Sequence, residues 1–178
     1  MRHLIILFLL LFSSSLSIAG PYELRTGLTW TYELTGGEQN EVINSVPRSV
    51  VIDGVEWFEL NEYGERFWVR NTEQGQVEAV NYYERDLDAS EPIVESLVYK
   101  FPVLVDETWG DPDSPVIYLG LRDVTVPAGE FTCHLYRFDL GDGATSESCV
   151  SNGAGVVLNE FKNVDGTRQV SRLVRYVK

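Results

Sequence analysis

The chain has 178 residues, 27 of them Asp or Glu against 14 Lys or Arg, for a formal net charge of −13. A surface this acidic repels phosphate backbones and anionic headgroups, so no nucleic-acid partner and no electrostatic membrane docking are expected. At this length and with 44% hydrophobic residues, one domain with a sizeable core is expected.

The first segment reads as an address. Arg2 precedes nine apolar residues, Leu4 to Phe12, and Ser17-Ile18-Ala19 sets small residues where a signal peptidase cuts. Residues 1–19 are therefore expected to be a signal peptide cleaved after Ala19, because nine apolar residues are too few to span a bilayer. With no cysteine beside the cut, neither a lipid anchor nor a membrane span is expected. The mature domain, residues 20–178, is placed in the periplasm or secreted.

Strand signals run through that domain. Leu28, Trp30, Tyr32 and Leu34 alternate with polar residues and define one strand face. Val50-Val51-Ile52 and Val55–Phe58 flank Asp53-Gly54, a pair suited to a type I′ hairpin because both central positions need positive φ. Gln74-Gly75 is expected to separate Arg66–Arg70 from Gln76–Tyr83. Glu84 to Leu97 is the best helical segment, interrupted by Pro92. In Val116–Phe138, Pro127-Ala128-Gly129 marks a type I turn after Val126. Asp165-Gly166 is expected to join Val156–Asn163 to Thr167–Val177. About ten short strands with little helix imply an all-β fold: one antiparallel curved sheet, half-barrel or barrel-like.

Cys133 and Cys149 are the two cysteines, and export favours a disulfide over a pair of free thiols. Opposed hairpin residues are equidistant from the turn, which sets the centre at Gly141 inside Asp139–Gly143. A directly opposed cross-strand bridge is expected, stabilising the fold by roughly 3 kcal/mol.

Residues for catalysis are sparse. No G-x-S-x-G elbow occurs, and His134, the one histidine left after cleavage, reads as a hydrogen-bonded structural imidazole. No metal is expected: Asp111-Pro112-Asp113 and Asp139 with Asp142 read as turn residues rather than calcium ligands. No catalytic, cofactor-binding or metal residue is assigned, and no cofactor is expected. Gly153-Ala154-Gly155 precedes a strand, so it reads as a turn and not a phosphate loop. Trp30, Trp57, Trp68 and Trp109 are candidates for a sugar-stacking platform, but fill the core on the simpler reading. The acids are too many for any pair to be singled out.

Val124-Thr125-Val126-Pro127-Ala128-Gly129-Glu130-Phe131 resembles the V-x-V-P-A-G-x-F signature of small exported bacterial β-proteins, many of them lipoproteins. Pro102 to Trp109 resembles their upstream Gly- and Trp-containing segment, and Gly153 to Leu158 a diverged form of their G-V-G-L-V-K strand. The resemblance implies a fold similar to the curved sheet of envelope lipoprotein carriers, whose concave face holds acyl chains. Two departures stand out: the anchoring cysteine is missing, and Leu158 replaces a frequent lysine. The resulting expectation is a non-enzymatic exported domain binding a hydrophobic ligand or an envelope protein. A carbohydrate-binding module using exposed tryptophans is the alternative, and a carboxylate-based hydrolase the next.

Overall fold

Two-residue alternation, repeated and punctuated by glycine turns, builds the molecule as one antiparallel sheet. The computed structural model describes residues 22–177; the expected signal peptide and its cleavage site lie outside them. Thirteen strands follow in order: β1 Thr29–Thr35, β2 Glu41–Ser45, β3 Ser49–Ile52, β4 Val55–Glu62, β5 Glu65–Thr72, β6 Gly75–Ala79, β7 Glu95–Lys100, β8 Thr108–Asp111, β9 Ser114–Val126, β10 Gly129–Asp139, β11 Thr145–Ser151, β12 Gly155–Lys162 and β13 Arg168–Val177. Twelve of them run in the order β7-β6-β5-β4-β2-β1-β13-β12-β11-β10-β9-β8, with β3 paired to β4 off that path. The sheet curls into a nearly closed barrel, which is the barrel-like form of the expected fold.

The end strands β7 and β8 meet through side chains. Trp109 Nε1 donates to the Leu97 carbonyl at 3.0 Å, the Tyr136 hydroxyl donates to the Lys100 carbonyl at 3.1 Å, and Lys100 pairs with Glu107. These contacts seal a seam whose backbone edges would otherwise be unpaired. The opposite weak point is β2 against β4, joined in register only at Ser45 and Asn61.

The sheet separates two cores. Tyr32, Leu60, Val69, Tyr99, Tyr136 and Leu173 belong to the larger one, on the inward faces. On the outer side of β4–β6, Trp57, Trp68, Val77, Tyr82 and Leu87 form a smaller one. Arg48 lies 5.2 Å over the Trp68 ring, Arg70 5.2 Å over Trp57 and Arg85 4.6 Å over Tyr82, so guanidinium groups roof this outer core. Trp57 and Phe58 thus serve opposite faces, as alternation requires.

Several turns differ from expectation. The β5–β6 turn is Glu73-Gln74, and Gly75 opens β6 at φ +135°. Its backbone is pressed against β7: an added Cβ would lie 1.9 Å from the Tyr99 carbonyl oxygen. Gly75→Ala is therefore expected to cost about 2 kcal/mol or more in a urea titration. Gly54→Ala, with open space around it at φ +78°, should cost about 1 kcal/mol. Equal losses at the two sites would count against steric contact as the cause.

Between β12 and β13 the chain uses the wider Asn163–Thr167 loop, closed by Asn163 N–H donating to the Thr167 carbonyl at 2.9 Å. Only Gly166 there has positive φ, so Asp165-Gly166 is not a type I′ turn. No α-helix forms over Glu84–Leu97: a single 3-10 turn, Val80–Tyr82, is followed by irregular chain, and Leu97 is in β7. Pro92 and the outer core explain this, since Tyr82 donates to the Asp88 carbonyl at 2.9 Å and draws the segment over the tryptophans.

The β10–β11 register pairs Leu135 with Cys149 and His134 with Val150, which moves the hairpin centre from Gly141 to Asp142. Cys133 and Cys149 are disulfide-bonded, but as diagonal neighbours with Cα atoms 5.4 Å apart, not as directly opposed residues. Sheet twist shortens one diagonal between residues on the same face, and the bridge uses it.

Candidate functional site: the polar mouth of the barrel

The inward stripe of β4 begins as a core face with Phe58 and Leu60, then ends on an acid, Glu62. Pairing carries polar groups across the same wall. Glu65 opposes Glu62, Gln76 on β6 opposes Asn71 on β5, and Glu78 opposes Val69. Tyr99 on β7 opposes Gln76. On the facing wall, Ser148, Asn159 and Ser171 form a rung through β11, β12 and β13. Asn159 Oδ1 accepts from Ser146 and Ser148 hydroxyls, each at 2.9 Å.

Tyr63 links the two walls. It sits in the Tyr63-Gly64 turn between β4 and β5 at φ +53°, a conformation that its side chain disfavours. Two contacts hold it: its N–H donates to Asn44 Oδ1 at 3.0 Å, and its ring lies 6.2 Å from that of Tyr32. Its hydroxyl is hydrogen-bonded with Ser171 and Asn159. Above it opens a pocket of about 620 Å³, walled by Leu34, Phe161, Asn159, Gln169, Ser171 and Glu65.

Electrostatics set this end of the barrel apart. Burial, and then the negative charges of Glu78 and Glu65, push the Glu62 carboxyl up from 4.5 to about 7. Asn44 Nδ2 donates to its Oε1 in a long hydrogen bond of 3.4 Å. Glu78 is also raised by burial. Tyr22, Tyr32, Tyr63 and Tyr99 all feel the Glu62 charge, and burial first of all raises each of them, so their hydroxyls stay neutral. Farther along β5 and β6, Asn71 Oδ1 is buried without a hydrogen-bond partner, while the Gln76 side chain meets the Tyr22 hydroxyl. The arrangement presents donors, acceptors and a carboxyl that titrates near neutrality beside an open pocket.

The candidate residues from the sequence lie elsewhere. Trp30, Trp57 and Trp68 are 5%, 1% and 0% exposed, and half-buried Trp109 spends its N–H on the β7–β8 seam. No pair of them makes an exposed stacking platform. Trp30 instead donates to the Ala154 carbonyl at 2.7 Å, which anchors the Gly153–Gly155 turn. His134 Nδ1 shares a hydrogen bond with the Tyr118 hydroxyl at 3.0 Å, and burial lowers its pKa. Asp111 and Asp139 each accept from a backbone amide two residues on, as turn residues do. Among the described residues, no three His, Cys, Asp or Glu groups are placed to hold a metal ion. The Val124–Phe131 motif forms the tip of the β9–β10 hairpin, with Val126 buried and Ala128 N–H donating to the Leu173 carbonyl at 2.9 Å. Its role in the fold is to pin that hairpin against β13.

The mouth cluster went unnoticed in the sequence, although one signal was present. Phe58-x-Leu60-x-Glu62 puts an acid in line with an inward apolar stripe.

No protein-family model and no curated protein matches this chain. Among solved structures, the chain is similar to a Bacteroides fragilis protein described as exported by inference and as having a YmcC-like fold. That match has a TM-score of 0.55 at 13% identity, covering 88% of this chain and 98% of the other. A Parabacteroides distasonis protein, inferred to be a lipoprotein, matches at a TM-score of 0.49 and 12% identity with the same coverage. The class defined is an antiparallel, barrel-shaped β domain, and the first of these likenesses speaks to the fold alone.

Proposed function

We propose that this chain is a non-catalytic, exported β-barrel domain that holds a small ligand in the pocket over Tyr63. The observation carrying this reading is the inward polar wall, because a barrel needs only apolar side chains there to be stable. Natural sequences accept such a cost mainly where it serves function. The Cys133–Cys149 bridge supports an oxidising compartment. Leu34, Phe161 and the Tyr63 ring supply apolar area for a ligand's hydrophobic part, while Asn159, Gln169 and Ser171 supply orientation. An envelope protein remains the other class of partner, and the tryptophan platform is not carried forward.

A carboxylate-based hydrolase is the second reading, favoured by one observation: Glu62 holds its proton to about pH 7 beside further carboxyls. The test is amide NMR of the mature domain titrated separately with lipid, glycan and protein fractions of the cell envelope. Shifts at Thr35–Gln39, Tyr63, Asn159–Phe161 and Gln169–Ser171 are expected. Shifts confined to other surfaces, or none with any fraction, would sink the pocket. Product formation during the titration would favour the hydrolase. N-terminal sequencing of the exported protein should begin at Gly20.

A further inference from the structure

We infer that the ligand over Tyr63 is a neutral polyhydroxylated molecule, a saccharide, rather than an acyl chain, an anion or an amine. This rests on the mouth pocket being the binding site, and it narrows the chemistry admitted there.

The donor and acceptor inventory is the first ground. Gln39 and Gln169 each offer an amide that both donates and accepts, and Thr35 offers a hydroxyl that does the same, whereas Asn159, Ser171 and Tyr63 are already hydrogen-bonded to one another and to Ser146 and Ser148. A sugar hydroxyl has the same dual capacity, so each such pairing satisfies both partners. An alkyl chain laid against these groups would strip them of water and return nothing. The Tyr63 and Phe161 rings provide flat apolar area for the C–H face of a pyranose.

Charge is the second ground. Glu38 and Glu65 line the pocket, and no Lys or Arg is among its lining residues. Glu62 stands behind Tyr63, and the charges acting on it, from Glu78 and Glu65, are negative. Phosphates, uronates and acidic lipid headgroups meet repulsion there with no cation to pair with. An ammonium ion would suit the carboxyls but would leave the amide and hydroxyl donors idle.

The experiment is saturation-transfer NMR with calorimetry on the mature domain. Its four arms are a neutral glycan panel of hexoses, N-acetylhexosamines and their di- to tetrasaccharides; the matching uronates; 1,4-diaminobutane; and laurate. At least one neutral glycan should bind, with its uronate at least tenfold weaker. Phe161→Ala and Gln169→Ala should each weaken binding at least tenfold at an unchanged melting temperature. Binding of only the amine, the uronate or laurate would overturn the class, as would no binding by any neutral glycan. The envelope-fraction titration separates the two failures. A fraction that shifts the mouth while no neutral glycan binds overturns the saccharide and leaves the pocket standing, whereas no shift at the mouth overturns both.

Discussion

Glu62→Gln should leave stability unchanged near pH 4 and raise it by roughly 3 kcal/mol at pH 8, since one pKa unit corresponds to about 1.4 kcal/mol. The folded-state carboxyl titrates at about 7 rather than 4.5 because burial and two neighbouring carboxyls penalise its charge. Between those values the folded chain holds a proton that the unfolded chain has released. Stability from this group is therefore complete below pH 4.5 and is lost as pH rises through 7. Glutamine never ionises, and its Oε1 can still accept from Asn44 Nδ2. Urea titrations of both proteins at pH 4, 6 and 8 read the difference directly. Other titrating groups cancel, because they are common to the pair. A gap that stays constant across pH would show that Glu62 is ordinarily solvated and would remove the electrostatic basis of the mouth cluster.

Removing the disulfide should have a comparable effect. Cys133 and Cys149 are 16 residues apart in sequence and both are fully buried. Closing a loop of this length restricts the unfolded chain by about 3 kcal/mol in the chain-entropy model. Cys133→Ala with Cys149→Ala should lower the melting temperature by roughly 6–12 °C for a domain of this size. The oxidised protein treated with reductant should approach the same value. A loss under about 3 °C would mean that β10 and β11 are held by their ladder and flanking contacts alone, with the bridge contributing little.

Legibility from sequence followed how local each determinant was. Asp53-Gly54 was readable because both residues tolerate positive φ, and they adopt +52° and +78°. Tyr63-Gly64 makes a similar turn and was not readable. A tyrosine at φ +53° is stabilised by Asn44 and Tyr32, which lie 19 and 31 residues away in the chain. Likewise, Glu84–Leu97 has helical composition, but its course is set by the tryptophans that it covers. The cysteine pairing is legible from compartment and number, while its diagonal placement depends on a register two residues away from the symmetric one, with Cys149 facing Leu135 instead of Cys133. Among so many acids, nothing local marks Glu62, whose inward position, two acidic neighbours and place next to the pocket residue Tyr63 come together only in the folded barrel.

Alternation and turn chemistry by themselves determined an all-β chain, most of its hairpins and its cysteine bridge, because those depend on neighbours in sequence. The closing of the sheet into a barrel, the sealing of β7 against β8 and the gathering of Glu62, Tyr63, Asn159 and Ser171 at one mouth were decided by tertiary structure alone. Each brings together strands far apart in the chain. Which inward residue meets which across a barrel depends on curvature and register accumulated over all the strands between them.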